Sequence, residues 1–483
     1  RKESSAASDV YKRQVQDIYL IGNPQITFFK IVYKRHTNFS MESVQATFSG
    51  TADFGKQIVC ALPRKGDLVH TIILEVDVPT IASAASTSEN GTLSYVNSLG
   101  HALIDFIELE IGGQVIDKHY GEWMEIWTQL SYDESKQNAY DQILPRANID
   151  TTQNNTVTGK SSTTVYIPLQ FWFCRNIGLA LPLIALQYHD VVLKIKFNPF
   201  SKVHTFGSNQ AFTMTQSGTT ITQSGTNPRN FHNSNDTSKT ITYKDGTTAT
   251  ATYASATTIT SSRSVTIGTA EEIYLTPDND LSATYSITSF RIYIDYIFLD
   301  TFERKKFAEM KHRYLIEQIQ YNDGDSIADG TTAKAINLPF NLPVKSIYWV
   351  SQLHNAVLAK NNDRFNFSSQ INRSETLTDP ISKAVVKFNG IDRFEERNGA
   401  YFRLIQPFQK HTRVSKLYIY MYSFSLHPEA HQPSGACNFS KINNADLHLT
   451  FANNIGASNV RVYALTYNVL RIFSGMGSVA FSN

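Results

Sequence analysis

Three cysteines in 483 residues, Cys60, Cys174 and Cys437, are too few and too widely spaced for a disulfide framework, and such usage points to folding in a reducing compartment. Long apolar runs are missing as well. The most apolar stretch, Ile177–Leu186, is broken by Gly178 and Pro182, whereas a membrane-spanning helix needs about 18 consecutive apolar residues or more. Nor is there an excess of one charge: 44 basic against 42 acidic residues leave +2, without the basic surplus of a nucleic-acid-binding surface. Catalytic signatures fail in turn. The chain has no Walker loop, no G-x-S-x-G elbow and no paired cysteine ligands. His427 and His431 stand four apart, but Pro428 occupies the place where the metalloprotease pattern requires glutamate on a helix. Gly475-Met-Gly477-Ser-Val-Ala480 has dinucleotide-like spacing with no helical pattern after it, and Asn322-Asp-Gly-Asp325 lacks the closing glutamate of a calcium loop. No enzymatic activity, cofactor, metal or direct nucleic-acid partner is therefore expected.

Aromatic residues are plentiful: 29 Phe, 24 Tyr and 4 Trp, and Phe and Tyr favour pleated, half-buried surfaces. Period-two alternation runs through Leu68, His70, Ile72, Leu74 and Val76 and stops at Pro79. Further strand patterns cover 102–111, 164–173, 190–197 and 290–299. Trp123, Ile126, Trp127 and Leu130 have helical spacing, which predicts a short helix from Gly121. A second helix is predicted over 301–313, with Asp300 as N-cap and Glu303 three residues on; its Arg304-Lys305-Lys306 run reads as a solvated face. Residues 1–14, RKESSAASDVYKRQ, are polar and charged and are expected to be a disordered or non-native leader. Residues 15–40 read as an arm of two apolar runs broken by Gly22-Asn23-Pro24. Residues 201–270 hold 29 Ser and Thr. They read as an ordered surface excursion with a hairpin turning at Asp245-Gly246, against the alternative of a disordered linker.

Four pieces of the first half recur in order in the second. EIGGQVIDKHYGEW (110–123) matches KFNGIDRFEERNGAY (387–401), and VYIPLQFWF (165–173) matches LYIYMYSF (417–424). VVLKIKF (191–197) matches DLHLTF (446–451), and YIDYIFL (293–299) matches ALTYNVL (464–470). Phe197 and Tyr296 are 99 residues apart, whereas Phe451 and Tyr467 are 16 apart. The surplus is close to the length of the Ser/Thr-rich stretch, so 201–285 is an insertion inside the first unit. Gly113 to Phe173 spans 60 residues against 34 for Gly390 to Phe424, which places a shorter insertion around 131–162. The economical architecture is all-β: two consecutive eight-stranded antiparallel sandwiches, over 41–300 and 314–483, joined by the helix at 301–313.

The stretches DIYLIGNPQITFFKIVYKRHTNF, ALPLIALQYHDV, DYIFLDTFERKKFAEMKHRYLIEQ, YSFSLHPEAHQPSGACNFSKINNADL and YNVLRIFSGMGSVAFSN closely resemble the major capsid proteins of nucleocytoplasmic large DNA viruses. The first 14 residues and the long Ser/Thr-rich insertion depart from that pattern. The resemblance implies a double jelly roll whose homotrimers form pseudo-hexagonal capsomers, tiling an icosahedral shell around an inner membrane, with minor capsid proteins beneath and assembly in the host cytoplasm. A minor or vertex capsid protein of the same lineage and a carbohydrate-binding β-sandwich protein are the alternatives. Under the leading reading, Ile26, Phe28 and Phe29 of the arm pack beneath the first roll or a neighbouring subunit, leaving Lys34, Arg35 and His36 towards the particle interior. Phe302, Phe307 and Met310 are expected to dock between the rolls. Tyr243, Tyr253 and Ile259 are expected to meet their equivalents around the trimer axis, and Asn154 and Asn235 are the accessible glycosylation triplets.

Overall fold

Sixteen strands in two sets of eight carry the architecture. The first set is β1 (Phe39–Ala46), β2 (Gln57–Ala61), β3 (Leu68–Val78), β4 (Ile104–Ile111), β5 (Gln114–Tyr120), β6 (Thr163–Pro168), β7 (Val191–Phe197) and β8 (Ser289–Leu299). The second is β9 (His312–Ile327), β10 (Ala333–Asn337), β11 (Pro343–Leu353), β12 (Ile381–Phe388), β13 (Ile391–Asp392), β14 (Tyr420–Ser423), β15 (Ala445–Phe451) and β16 (Ser458–Phe473). Helix α1 (Gly121–Ser131) follows β5, and α2 (Thr301–Glu309) separates the two sets. This computed structural model describes residues 36–81, 93–146, 162–206, 213–224, 239–242, 248–253, 258–264, 266–272, 274–276, 285–357, 362–370, 378–452 and 455–481.

Sheet order β1-β8-β3-β6 is repeated by β9-β16-β11-β14, and β2-β7-β4-β5 by β10-β15-β12-β13. Each strand of the second set therefore has the neighbours of its counterpart eight strands earlier. Two four-stranded sheets facing each other in this order form a jelly roll, so the chain is a double jelly roll. Alternation drives the pairing of the sheets. Val191, Leu193, Ile195 and Phe197 of β7 are buried while Val192, Lys194 and Lys196 are only partly so; Ala445, Leu447, Leu449 and Phe451 repeat the pattern in β15. The hairpin turns also correspond. Gly112-Gly113 links β4 to β5 with φ of 58° and 80°, and Asn389-Gly390 links β12 to β13 with φ of 51° and 80°. Two successive left-handed residues match the twist of the flanking strands, and only Gly and Asn adopt that conformation cheaply.

Between β7 and β8 an excursion forms a seven-stranded antiparallel sheet of its own. Lys239–Thr242 pairs with Thr248–Tyr253 as the expected hairpin, while Asp245 and Gly246 lie outside the described residues. Ile221, Ala249 and Ala251 are buried in it. The excursion leaves and returns at one place, because the Phe200 ring stacks on Tyr285 at 5.0 Å. The shorter insertion contributes to the first roll's interior: Tyr140, Leu144 and Arg146 are buried. Ser40–Asn483 forms one compact unit. Its larger core fills the first roll and continues through Tyr348, Val350, Tyr463 and Leu465 of the second, whose own sandwich encloses a separate core around Trp349, Val386 and Leu447.

Candidate assembly interface

Helix α1 is buried on both sides: Trp123, Met124, Ile126, Trp127 and Leu130 on its apolar side, and Glu125, Thr128 and Gln129 on the polar one. Glu125 and Thr128 bond to His101, Arg146 and Tyr140 of the first roll, and the second roll covers the aromatic side. Gly121 permits the entry, since a Cβ there would collide with the His101 carbonyl. The Trp123 indole meets Tyr348 of β11 edge-on at 5.3 Å and Tyr463 of β16 at 5.6 Å. Tyr321 of β9 stacks on Tyr463 at 4.8 Å and reaches Tyr120 of β5 at 4.6 Å. Edge-on and offset rings are attractive beyond their buried area.

Polar groups set the register of this seam. The Glu122 carboxylate accepts a forked pair of hydrogen bonds from Arg461, the Nε one at 2.8 Å, and a third from the Tyr463 hydroxyl at 2.9 Å. Asp117 accepts from the Ile319 backbone N–H at 3.0 Å, and the Gln318 side chain donates to the Ile116 carbonyl. Arg175 of the first roll and the wholly buried Lys345 both pair with Glu317 of β9. Burial pushes the Lys345 ammonium pKa down, with Glu317 opposing. Removing one member would strand a buried charge. Nothing in the strand pattern around Lys345 singles it out. The helical spacing of Trp123, Ile126, Trp127 and Leu130 predicted the helix but not what covers it.

Of the three residues expected to dock between the rolls, two are exposed in the single chain. Phe302 is 77% exposed and Met310 51% exposed. Phe307 is half-buried against Leu68, Ala180, Ile297 and Leu299 of the first roll and stacks on His312 of β9 at 5.5 Å, while Arg304 ties α2 to Asp67 at 2.9 Å. Phe302 and Phe307 are five residues apart, so they point about 140° away from each other on a helix and cannot share one face. Asp300 caps α2 by accepting from Thr301 N–H at 2.7 Å. His427–His431 lies in turns, and Glu429 there accepts from the His411 ring and from Thr412. Among the described residues no three His, Cys, Asp or Glu side chains are gathered for a metal ion. Ile26, Phe28, Phe29, Lys34, Arg35, Tyr243, Asn154 and Asn235 lie outside the described residues. His36 is exposed, with Nδ1 2.7 Å from the Thr37 carbonyl. Tyr253 and Ile259 are register partners of adjacent strands in the excursion.

The second roll's counterpart of α1 is the helical stretch 401–410. Phe402 is buried there against Trp349 at 5.3 Å. Leu404, Ile405 and Phe408 are exposed, the last to 77%, and Leu426 is exposed as well. The first roll's counterpart of the covered sheet face is the outer side of β1-β8-β3-β6. It presents exposed Met41 and Tyr166 and partly buried Ile73 and Tyr293, with Arg291 bridging Glu75 and Asp77. In β11 every residue from Val344 to Leu353 is buried, whereas its counterpart β3 keeps four partly exposed positions.

Comparison with known proteins places these features in a family. Residues 27–300 match the family model described as major capsid protein N-terminus, and residues 303–478 match that of the large eukaryotic DNA virus major capsid protein. The major capsid protein of Pyramimonas orientalis virus is 36% identical over 495 residues, covering 97% of each chain. That of Phaeocystis pouchetii virus is 33% identical, covering 97% of this chain and 98% of its own. Among solved structures, PBCV-1 VP54, fitted into a reconstruction of the virophage Sputnik, superposes with a TM-score of 0.66 at 29% identity, over 95% of this chain and all of the other. The Faustovirus major capsid protein shares the fold, with a TM-score of 0.64 at 12% identity over 97% and 98%.

Proposed function

The chain belongs to the major capsid protein family of large eukaryotic DNA viruses, and we propose that it builds the shell as a closed ring of three copies, six jelly rolls around one axis. Its role in the virion capsid is structural. The observation that carries the ring is a pair of equivalent surfaces in different states. Within one chain, α1 of the first roll seats on the outer sheet of the second. The matching helical stretch of the second roll, with Leu404, Ile405 and Phe408, is uncovered, and so is the matching sheet of the first. Repeating the internal contact between copies covers both, and three copies close it with six similar contacts. A head-to-tail contact that closes in this way leaves no free end.

In this reading the protein has no catalytic activity. The arm faces the particle interior, where minor capsid proteins and an inner membrane lie. The excursion faces outward around the trimer axis, and trimers assemble in the host cytoplasm and then contact neighbouring capsomers. Light scattering after size exclusion tests the ring: the expected mass is three times the 54.3 kDa chain. Phe408→Asp with Leu404→Asp, both on the exposed face, is expected to give folded monomers. A wild type that stays monomeric at high concentration, or trimers from the double variant, would overturn the assignment.

A further inference from the structure

A cleft of about 170 Å³ opens where the two rolls meet. Its charged lining comes from both rolls: Asp105, Glu122 and Lys202 from the first, Arg364 and Arg461 from the second. The two carboxylates are already engaged. Both Glu122 oxygens take Arg461, and Asp105 pairs with Lys196 at 3.2 Å. Lys202 and Arg364 have no carboxylate partner among the described residues. The Arg364 Nε donates to the Lys202 backbone carbonyl at 2.9 Å, which brings the two residues to one wall, and among the described residues the terminal guanidinium nitrogens have no hydrogen-bond partner. Burial and the neighbouring Arg461 hold Arg364 down to about 10, and burial together with Arg364 lowers Lys202. Asp105 opposes both shifts and Glu122 opposes that of Arg364, but each carboxylate already pairs with another cation, so the two confined like charges weaken the seam they occupy.

We infer that this cleft binds a small tetrahedral oxyanion, with free inorganic phosphate as the fitting species, and that the bound ion staples the two rolls. The planar fork of Arg364 supplies paired donors, and the Lys202 ammonium adds a point charge from the opposite roll. A phosphate dianion balances both. The volume leaves room for the ion and ordered water, which takes about 30 Å³ per molecule.

Thermal unfolding of the intact protein at pH 7.5 tests the site, with sodium chloride exchanged for sodium phosphate at constant ionic strength. Ligand binding to the native state alone raises the midpoint with concentration, so a rise of a few degrees is expected, reproduced by sulfate. Lys202→Met should raise the midpoint in phosphate-free buffer, because it relieves the repulsion, and should abolish the response to phosphate. A phosphate response no larger than that to chloride overturns the proposal, as does a Lys202→Met protein that still responds. A response to glycerol phosphate equal to that of phosphate would overturn the free-ion assignment in favour of a phosphate ester.

Discussion

Truncating Trp123 removes a ring that touches Trp127, Tyr348 and Tyr463 at once. Trp123→Ala is expected to destabilise the protein by about 3–5 kcal/mol, the range for large aromatic deletions in cores, read as a shift of the denaturant midpoint. A loss below about 1 kcal/mol would mean that the seam closes without it. A second prediction concerns pH. His101 is fully buried, with Nδ1 2.6 Å from Glu125 and Nε2 3.3 Å from the Tyr140 hydroxyl, and Glu125 also takes both oxygens to Arg146. Asp141 lies at the rim of the cluster, 3.4 Å from Arg146. Burial lowers the His101 pKa from 6.5, and Arg146 with His101 holds Glu125 below its usual 4.5 against burial. Both shifts act in the same direction. The unfolded chain binds more protons, so stability is full above about pH 7 and falls as pH drops through 6.5, then again below 4.5. Melting temperature against pH should show this, and His101→Gln should flatten the limb between pH 7 and 5, leaving the shares of His204 and His431, whose pKa values burial also lowers. An unchanged limb would remove His101 from the account. Neither Lys345 nor this cluster was legible in the sequence, because a buried ion pair depends on partners brought from distant strands.

Both helices were legible as helices, but the seam was expected at α2, not at α1. The α1 spacing showed an apolar side, but the burial of Glu125, Thr128 and Gln129 opposite it depends on His101, Tyr140 and Arg146 from elsewhere in the first roll. The α2 stretch carries three large apolar residues that cannot share a face, and only Phe307 packs, against the first roll and His312 of β9. Phe307→Ala is expected to cost about 1–2 kcal/mol, below the range for full burial, and Phe302→Ala to stay within about 0.5 kcal/mol in the isolated subunit, as at ordinary surface sites. Denaturant midpoints of the two variants check the order, and a larger loss for Phe302 would restore its expected docking between the rolls. The Ser/Thr-rich stretch was readable as an insertion from the repeat spacing, and its hairpin from Asp245-Gly246. Its seven-stranded order was not, since Thr alternating with Ala and Ser gives little apolar contrast. Its two ends meet at the Phe200–Tyr285 stack, and long additions to loops carry a small entropic cost. Replacing 207–284 with a short Gly/Ser linker, which keeps the His204–Phe206 pairing with Leu93–Tyr95, should therefore leave the far-ultraviolet spectrum of both rolls in place. Loss of soluble protein would make the excursion part of the core.

The double architecture was legible because four matched pieces, in order, sit on strands with matching neighbours. How the rolls meet was not, because the seam face of the second roll carries Tyr321, Tyr348, Tyr463, Glu317 and Gln318, a mixture that reads as an amphipathic, water-facing side. That face is buried only because the first roll covers it, so the two rolls are expected to unfold together. Four tryptophans make this measurable: Trp123, Trp127 and Trp172 belong to the first roll and Trp349 to the second. In Trp349→Phe the fluorescence reports the first roll, and in a variant with the other three changed to Phe it reports the second. The far-ultraviolet signal reports both in each variant. Within each variant the fluorescence and far-ultraviolet midpoints in urea should coincide, the mark of one cooperative unit. Adding Glu122→Gln, which weakens the forked pair with Arg461 across the seam, should lower both midpoints together. Separate midpoints, or a Glu122→Gln effect confined to one reporter, would show two rolls that merely adjoin.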